Sequence, residues 1–401
     1  MARIIPFAAL RPAPEHASQV AALPYDVMST EEAREMAAGN PYSFLHVDKA
    51  EIDFPPGMKY SDPAVYAKVR ENLQKLQSDK ILTQDSNPCL YIYRLTMDGR
   101  VQTGLGACVL VEDYKTGSIK IHEYTRPDKE RDRVEHIKAC KAHTGPIFLA
   151  YRANDDIDEA ITSHTNKNSP EYDFTTDDGV RHQLWVLNNE AEINNLVRLF
   201  EAVPYLYIAD GHHRSSAASI AHEEGAPGQF LAVIFPQNEL AIMDYNRVVA
   251  DLNGMDKCAF LAALEKDFDV SASDGPVKPQ LINEYGMYLK GEWYRLTYKP
   301  ATPTDVVNGL AISVLQNEVL APLLGIKDPR TDQRIDFVGG IRGMEGLAKR
   351  VDSGEMAVAF SISPTTMDEL FAVADAGQIM PPKSTWFEPK LLSGLLIHSF
   401  S

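Results

Sequence analysis

Cysteine is scarce. Four residues in 401, Cys89, Cys108, Cys140 and Cys258, make no C-x-x-C pair and no dense framework. That excludes a disulfide-stapled scaffold and leads us to expect free, mostly buried thiols in a reducing compartment. Long hydrophobic runs are also missing. No segment approaches the length of a membrane span, and the start, from Met1 to Pro6, carries no extended apolar stretch. The sequence therefore reads as cytoplasmic, with no membrane partner. Positive charge is in deficit: 39 Lys and Arg stand against 56 Asp and Glu, a net charge of −17. Such a chain repels nucleic acid unless its basic residues cluster, so no nucleic-acid partner is expected. A locally positive pocket is still open to a small anionic substrate. Walker A and kinase-type glycine-rich loops are absent as well, which leaves the donor of any phosphoryl transfer without a motif.

What is present is a globular composition, 44% hydrophobic and 24% charged, over a length that suits two or three compact units. Helices are predicted near residues 30–39, 63–78, 190–202, 214–224, 257–266 and 311–324. Strands are predicted at 90–95 and 105–111 around an Asp98-Gly99 turn, and at 147–151, 205–209, 230–235, 286–298 and 356–362. This mixture reads as α+β: an N-terminal unit over 1–115, a core over 116–240 and a C-terminal unit over 241–401. Gly104 and Gly106 lie in a strand pattern and read as bulge or packing glycines.

Asp210-Gly211-His212-His213-Arg214 falls between a predicted strand and a predicted helix. A helix beginning there presents unpaired N–H groups and the positive end of its dipole, a good place for phosphate. Gly211 permits a tight turn, Arg214 offers a bidentate fork, and His212 and His213 offer further hydrogen bonds. Asp210 suits three roles: holding a divalent cation, orienting a histidine or accepting a proton. A second cluster, His122-Glu123-Tyr124-Thr125, precedes a charged stretch from Arg126 to Arg133; within it, Asp132 reads as a solvent-facing charge.

His122-Glu123, Arg133-Val134, Pro146-Ile147 and Asp210 to Arg214 together resemble free serine kinases of the ParB/sulfiredoxin-like fold. Arg131 competes with Arg133 as the matching arginine. From end to end the chain is similar to the family known as domain of unknown function 1015. That likeness rests on Leu23-Pro24-Tyr25-Asp26-Val27, Asn40-Pro41, His122 to Thr125, Asp210 to Arg214, Tyr245-Asn246-Arg247-Val248-Val249 and Met380 to Lys390.

The resemblance implies a ParB/sulfiredoxin-like core and transfer of a phosphoryl group to free L-serine, with Glu123 activating the serine hydroxyl. The donor is expected to be pyrophosphate ahead of ADP or ATP, with Mg2+ as cofactor. Asp210 and His213 join Glu123 as catalytic candidates, Asp210 also as the metal ligand. Gly211, His212 and Arg214, with Lys383, Ser384 and Thr385 of the proline-rich tail, are the phosphate-binding candidates. Thr125, Arg126, Arg133 and Arg247 are the substrate-binding candidates, and no sequence feature selects among the arginines for the serine carboxylate. Two rivals stand beside this reading: a nucleotide or pyrophosphate hydrolase using the same cradle, and a ParB-like nucleotide-binding regulator. A sulfiredoxin-like reductase would need a cysteine at the turn, where this chain has His212 and His213.

Overall fold

The computed structural model describes residues 3–400. The chain folds into two compact units. The first comprises residues 1–121, 125–240 and 389–401; the second comprises 122–124 and 241–388.

The first unit is built on a nine-stranded mixed sheet. Its strands are β1 (Ile4–Ile5), β2 (Leu90–Met97), β3 (Arg100–Leu110), β4 (Ile119–Lys120), β5 (Ile147–Tyr151), β6 (Tyr172–Thr175), β7 (Arg181–Leu187), β8 (Leu206–Asp210) and β9 (Gln229–Pro236). They lie in the order β4-β8-β5-β9-β3-β2-β7-β6, with β1 also against β3. The pairs β4/β8 and β5/β9 are parallel and the others antiparallel. Asp98 (φ +51°) and Gly99 (φ +77°) make the tight turn between β2 and β3, as the Asp-Gly pair predicts. Gly104 is a packing glycine, because a Cβ there would come within 2.7 Å of the Phe235 ring.

The helices of this unit include α1 (Pro63–Ser78), α2 (Pro127–Cys140), α3 (Asp155–Lys167), α4 (Glu190–Phe200) and α5 (His212–Glu223). In α1, Asp62 caps the Ala64 N–H, Pro63 sits in the first turn, and Val65, Val69, Leu73 and Leu76 are buried at helical spacing. Ile157, Ile161, Ile193, Leu196 and Phe200 from α3 and α4 complete a core with Leu105, Leu149, Ile208 and Phe230 of the sheet. Helices α2 and α5 share a small cluster of Val134, Ile137, Ala217 and Ala221.

The expected boundary at 115 does not divide this unit. β3, which ends before residue 115, pairs along its length with β9, which lies well after it. Alternating apolar runs show that each is a strand and say nothing of partner choice. The tail departs from expectation too. Residues 389–401 belong to the first unit, where His398 and Ser399 pair with His143 and Ala142.

The second unit has a six-stranded antiparallel sheet. Its strands are β10 (Tyr245–Val249), β11 (Phe268–Ser273), β12 (Glu284–Leu289), β13 (Glu292–Tyr298), β14 (Ile335–Gly339) and β15 (Val358–Ile362), in the order β11-β13-β12-β15-β10-β14. Both units are α+β. The 311–324 run is α-helical over Ala311–Leu315 and becomes a π-helix over Gln316–Leu320. Among the described residues no helix is long and apolar enough to cross a membrane. Cys89, Cys108 and Cys140 are buried and Cys258 is exposed, all as free thiols.

Candidate functional site

In the first unit β8 ends at Asp210 and α5 begins at His212, with Gly211 between them at φ +102°. Only glycine takes this conformation cheaply, and a Cβ here would also meet the Arg214 guanidinium at 3.2 Å. No side chain caps the helix, so its first-turn amides and the positive dipole end face outward from the turn. His213 accepts a hydrogen bond at Nε2 from the Arg126 amide, 3.1 Å away. In the neutral ring its proton therefore sits on Nδ1.

Arg214 differs from the fork expected of it. Its side chain turns back beneath the loop, donating from Nη1 to the Pro146 carbonyl and from Nη2 to Asp210 Oδ2 at 3.1 Å. Its Nε is buried with no hydrogen-bond partner. Burial opposes the charge, but Asp210 and Asp26 outweigh it, and the Arg214 pKa is raised. Both ends of the guanidinium are committed, to Pro146 and to Asp210, so the groups the turn offers are backbone amides. Asp210 also has the Lys390 ammonium 4.0 Å from Oδ2.

Behind the turn lies a cavity lined by Tyr25, Asp48, Arg133, His143, Thr144 and Arg214, among others. Arg133 lies over the Tyr25 ring, 3.9 Å from its centroid, and donates from Nε to Asp132 at 2.8 Å. Asp132 is not solvent-facing. It is buried, and it also accepts from the Tyr66 hydroxyl at 2.9 Å. A charged residue flanked by Arg131 and Arg133 looks like helix surface, but here α1 covers that face.

Burial works against the Arg133 charge, yet Asp132, Tyr25 and Asp48 raise its pKa overall. Burial and then Arg133 lower the pKa of His136. Burial and then His398 take His143 down to about 3. Two other candidates lie at the surface of this unit. Arg126 is exposed and paired with Asp128 at 2.9 Å, while the Thr125 hydroxyl donates to Glu130, which also receives Ser216.

The second unit carries the remaining candidates. His122 and Glu123 fall in its short segment 122–124. The His122 carbonyl accepts from the Met380 amide at 2.9 Å, and its Nε2 lies 3.4 Å from Thr385 Oγ1. This ties the H-E segment to the proline-rich loop. Tyr245, at the start of β10, responds to both: burial raises its pKa, Lys383 and Arg247 lower it, and Glu123 raises it. The Lys383 ammonium stands 5.9 Å from the Tyr245 ring centroid. Lys383 has φ +57°, a left-handed conformation costly for a residue with a Cβ.

Two expectations in this unit change. Arg247 is 1% exposed and spends its guanidinium on the carbonyls of Tyr245 and Pro382. Burial without a carboxylate partner drops its pKa to about 9. It holds the loop and presents no surface to a substrate carboxylate. Ser384 is likewise buried, its hydroxyl donating to the Pro381 carbonyl at 2.6 Å, so it shapes the loop from within.

A family model described as "Protein of unknown function (DUF1015)" matches residues 4–318. The chain belongs to this family. No curated protein matches the DUF1015 chain. Several solved structures do. A free serine kinase in complex with AMP is 12% identical, covering 70% of this chain and 86% of that one with a TM-score of 0.37. SbnI from Staphylococcus aureus, with a C-terminal truncation, is 12% identical, covering 73% and 87% with a TM-score of 0.39. A conserved hypothetical protein from Pyrococcus furiosus is 12% identical, covering 72% and 94% with a TM-score of 0.36.

Sequence reasoning missed Tyr25, Asp48 and Tyr245 in this DUF1015 protein. Tyr25 and Tyr245 fall in segments that carried the family resemblance, which was their one signal. Asp48 carried none: it becomes notable through its burial and through the hydrogen bond it accepts from Thr144 Oγ1 at 2.9 Å.

Proposed function

We propose that this DUF1015 protein phosphorylates free L-serine to O-phospho-L-serine, taking the phosphoryl group from pyrophosphate ahead of ADP or ATP. The observation that carries the reading is the uncapped start of α5 at Gly211, inside the D-G-H-H-R turn. A twelve-residue helix there offers backbone amides and a positive dipole end to a phosphate. The resemblance to free serine kinases supplies the acceptor. The finer fold expectation, a ParB/sulfiredoxin-like core in the first unit, belongs to the same proposal and is supported by the same strand–turn–helix. The net charge of −17 supports a small-molecule partner over nucleic acid.

In this reaction the serine oxygen bonds to phosphorus, the bridging P–O bond of the donor breaks, and inorganic phosphate leaves when pyrophosphate is used. The hydroxyl proton passes to Glu123 as general base. Gly211 and His212 contribute the amides of the cradle. His213 is a hydrogen-bonding partner of the transferred group, and Lys383 and Thr385 are charge and hydroxyl donors toward phosphate oxygens. Arg214 serves as the clamp of the turn.

Magnesium commonly binds through one or two carboxylates plus substrate phosphates. Asp210, with a 30% exposed side chain at the strand end, is the carboxylate that would hold an ion arriving with the donor, its charge shared with Arg214 and Lys390. When bound, the ion neutralises charge on the phosphates.

The test is a donor panel of pyrophosphate, ADP and ATP with L-serine and magnesium, followed by phosphorus NMR for O-phosphoserine. Product with pyrophosphate supports the whole reading. Product with a nucleotide alone keeps the kinase and corrects the donor. Phosphate release at the same rate with and without serine makes the protein a hydrolase.

A further inference from the structure

The cavity behind the D-G-H-H-R turn lies wholly within the first unit and is not explained by phosphate binding at the start of α5. Its volume is about 30 Å3, room for roughly two waters or one carboxylate-sized group, and too little for a nucleotide base or sugar. Pro24, Ile137, Ile147 and Leu231 give it a largely apolar lining, in which a few buried polar and charged groups stand. Arg133, His143 and Asp48 are each less than a tenth exposed. Two nitrogens on its lining residues, Arg214 Nε and His143 Nε2, are buried with no hydrogen-bond partner. Buried donors and acceptors are nearly always satisfied, so two unsatisfied atoms around one cavity point to an occupant.

The charges identify its class. Arg133 and Arg214 line the cavity, each held rigid from behind: Arg133 by the Tyr25 ring and Asp132, Arg214 by Pro146 and Asp210. The Asp48 carboxylate lines the same space, accepts the Thr144 hydroxyl and has His136 Nε2 3.9 Å from Oδ1. The lining thus carries two guanidinium groups and one carboxylate, with Asp132 behind Arg133, and Asp210 and Asp26 near Arg214. A site of this balance gains little from a dianion such as phosphate and suits a ligand that carries both signs at short range.

We infer that the cavity takes the carboxylate of a small α-amino acid between Arg133 and Arg214, with the ammonium group turned toward Asp48. The choice of L-serine as that amino acid rests on the proposed kinase reading; the zwitterion site itself does not. Among the arginines considered for a substrate carboxylate, Arg126 is paired at the surface and Arg247 is enclosed by carbonyls. The Leu23-Pro24-Tyr25-Asp26 segment thereby acquires a role, since Tyr25 is the platform on which Arg133 lies.

Calorimetry on the full chain, with L-serine, L-alanine, acetate and inorganic phosphate as separate ligands and no donor present, tests this directly. Arginine-labelled protein adds a site-specific readout, the Arg214 Nε–H resonance, which shifts when the cavity fills. L-serine and L-alanine are expected to bind and move that resonance, with acetate at least tenfold weaker. Asp48→Asn keeps the Thr144 contact and the shape, so it is expected to fold and to weaken L-serine at least tenfold. Arg133→Gln is expected to abolish binding.

Tight phosphate binding that displaces L-serine would make this an anion site and overturn the inference. So would an Arg214 resonance unmoved by either amino acid, which marks a water-filled void. The two readings separate cleanly. Phosphoserine formed with an unchanged serine KM in Asp48→Asn sinks the cavity and spares the kinase. Serine bound here without phosphoserine from any donor does the reverse.

Discussion

Arg214 reaches back one helical turn to Asp210, Nη2 to Oδ2 at 3.1 Å, while its Nη1 takes the Pro146 carbonyl on β5's approach. One side chain thus locks the strand end, the glycine turn and the neighbouring strand. A lysine retains the charge but is a single point donor and cannot span both contacts. Arg214→Lys is therefore expected to cost about 1–3 kcal/mol, the scale of a lost charged hydrogen bond. Denaturant unfolding of the two proteins checks this; equal midpoints would mean the clamp is idle.

Glu123→Gln preserves shape and removes the proposed base. Turnover is expected to fall roughly a hundredfold or more, with donor affinity little changed. Steady-state kinetics beside donor-binding measurements decide it, and near-normal turnover removes Glu123 from the chemistry.

Lys383 invites a paired substitution, because its φ of +57° strains any residue with a Cβ. Lys383→Ala and Lys383→Gly both remove the ammonium and are expected to slow transfer or weaken the donor about tenfold. Only the glycine variant relaxes the backbone, gaining about 1–2 kcal/mol over alanine. A glycine variant that is more stable but no more active than the alanine variant separates charge from strain. Full activity in both would make the loop structural.

Acid should loosen the first unit before carboxylates titrate. Burial takes His143 to about 3, and His182 and His398 to about 4. Each is therefore neutral when folded but binds a proton near pH 6.5 when unfolded. Their contribution is complete above about pH 6.5 and is lost as pH falls toward 4 and then 3. Each adds at most about 1.4 kcal/mol per pH unit to the slope. Unfolding free energies at pH 7.5, 6 and 5 should decline, and His182→Gln should flatten the decline; a flat wild-type profile contradicts it.

Local chemistry made much of this legible in advance. Val65, Val69, Leu73 and Leu76 mark α1 by spacing, and the Asp98-Gly99 turn announces its hairpin, because both signals are carried by neighbours in sequence. The glycine turn before α5 was readable for the same reason. What escaped depends on distant partners. Nothing near Asp132 tells that Tyr66 will cover it, and nothing near Arg247 tells that two carbonyls will claim its guanidinium. The α+β class was legible; the joining of both sides of residue 115 in one sheet was not, since strand partners are chosen across the chain.

The return of residues 389–401 to the first unit sets the order of events at birth. His398 and Ser399 supply the partners of Ala142 and His143, and Ile397 pairs with Leu10. Those partners leave the ribosome only after the whole of 241–388 has been made. The unit whose synthesis begins first must wait, partly open, for the other to be finished, so a ribosome stalled anywhere in the second unit holds an incomplete first one.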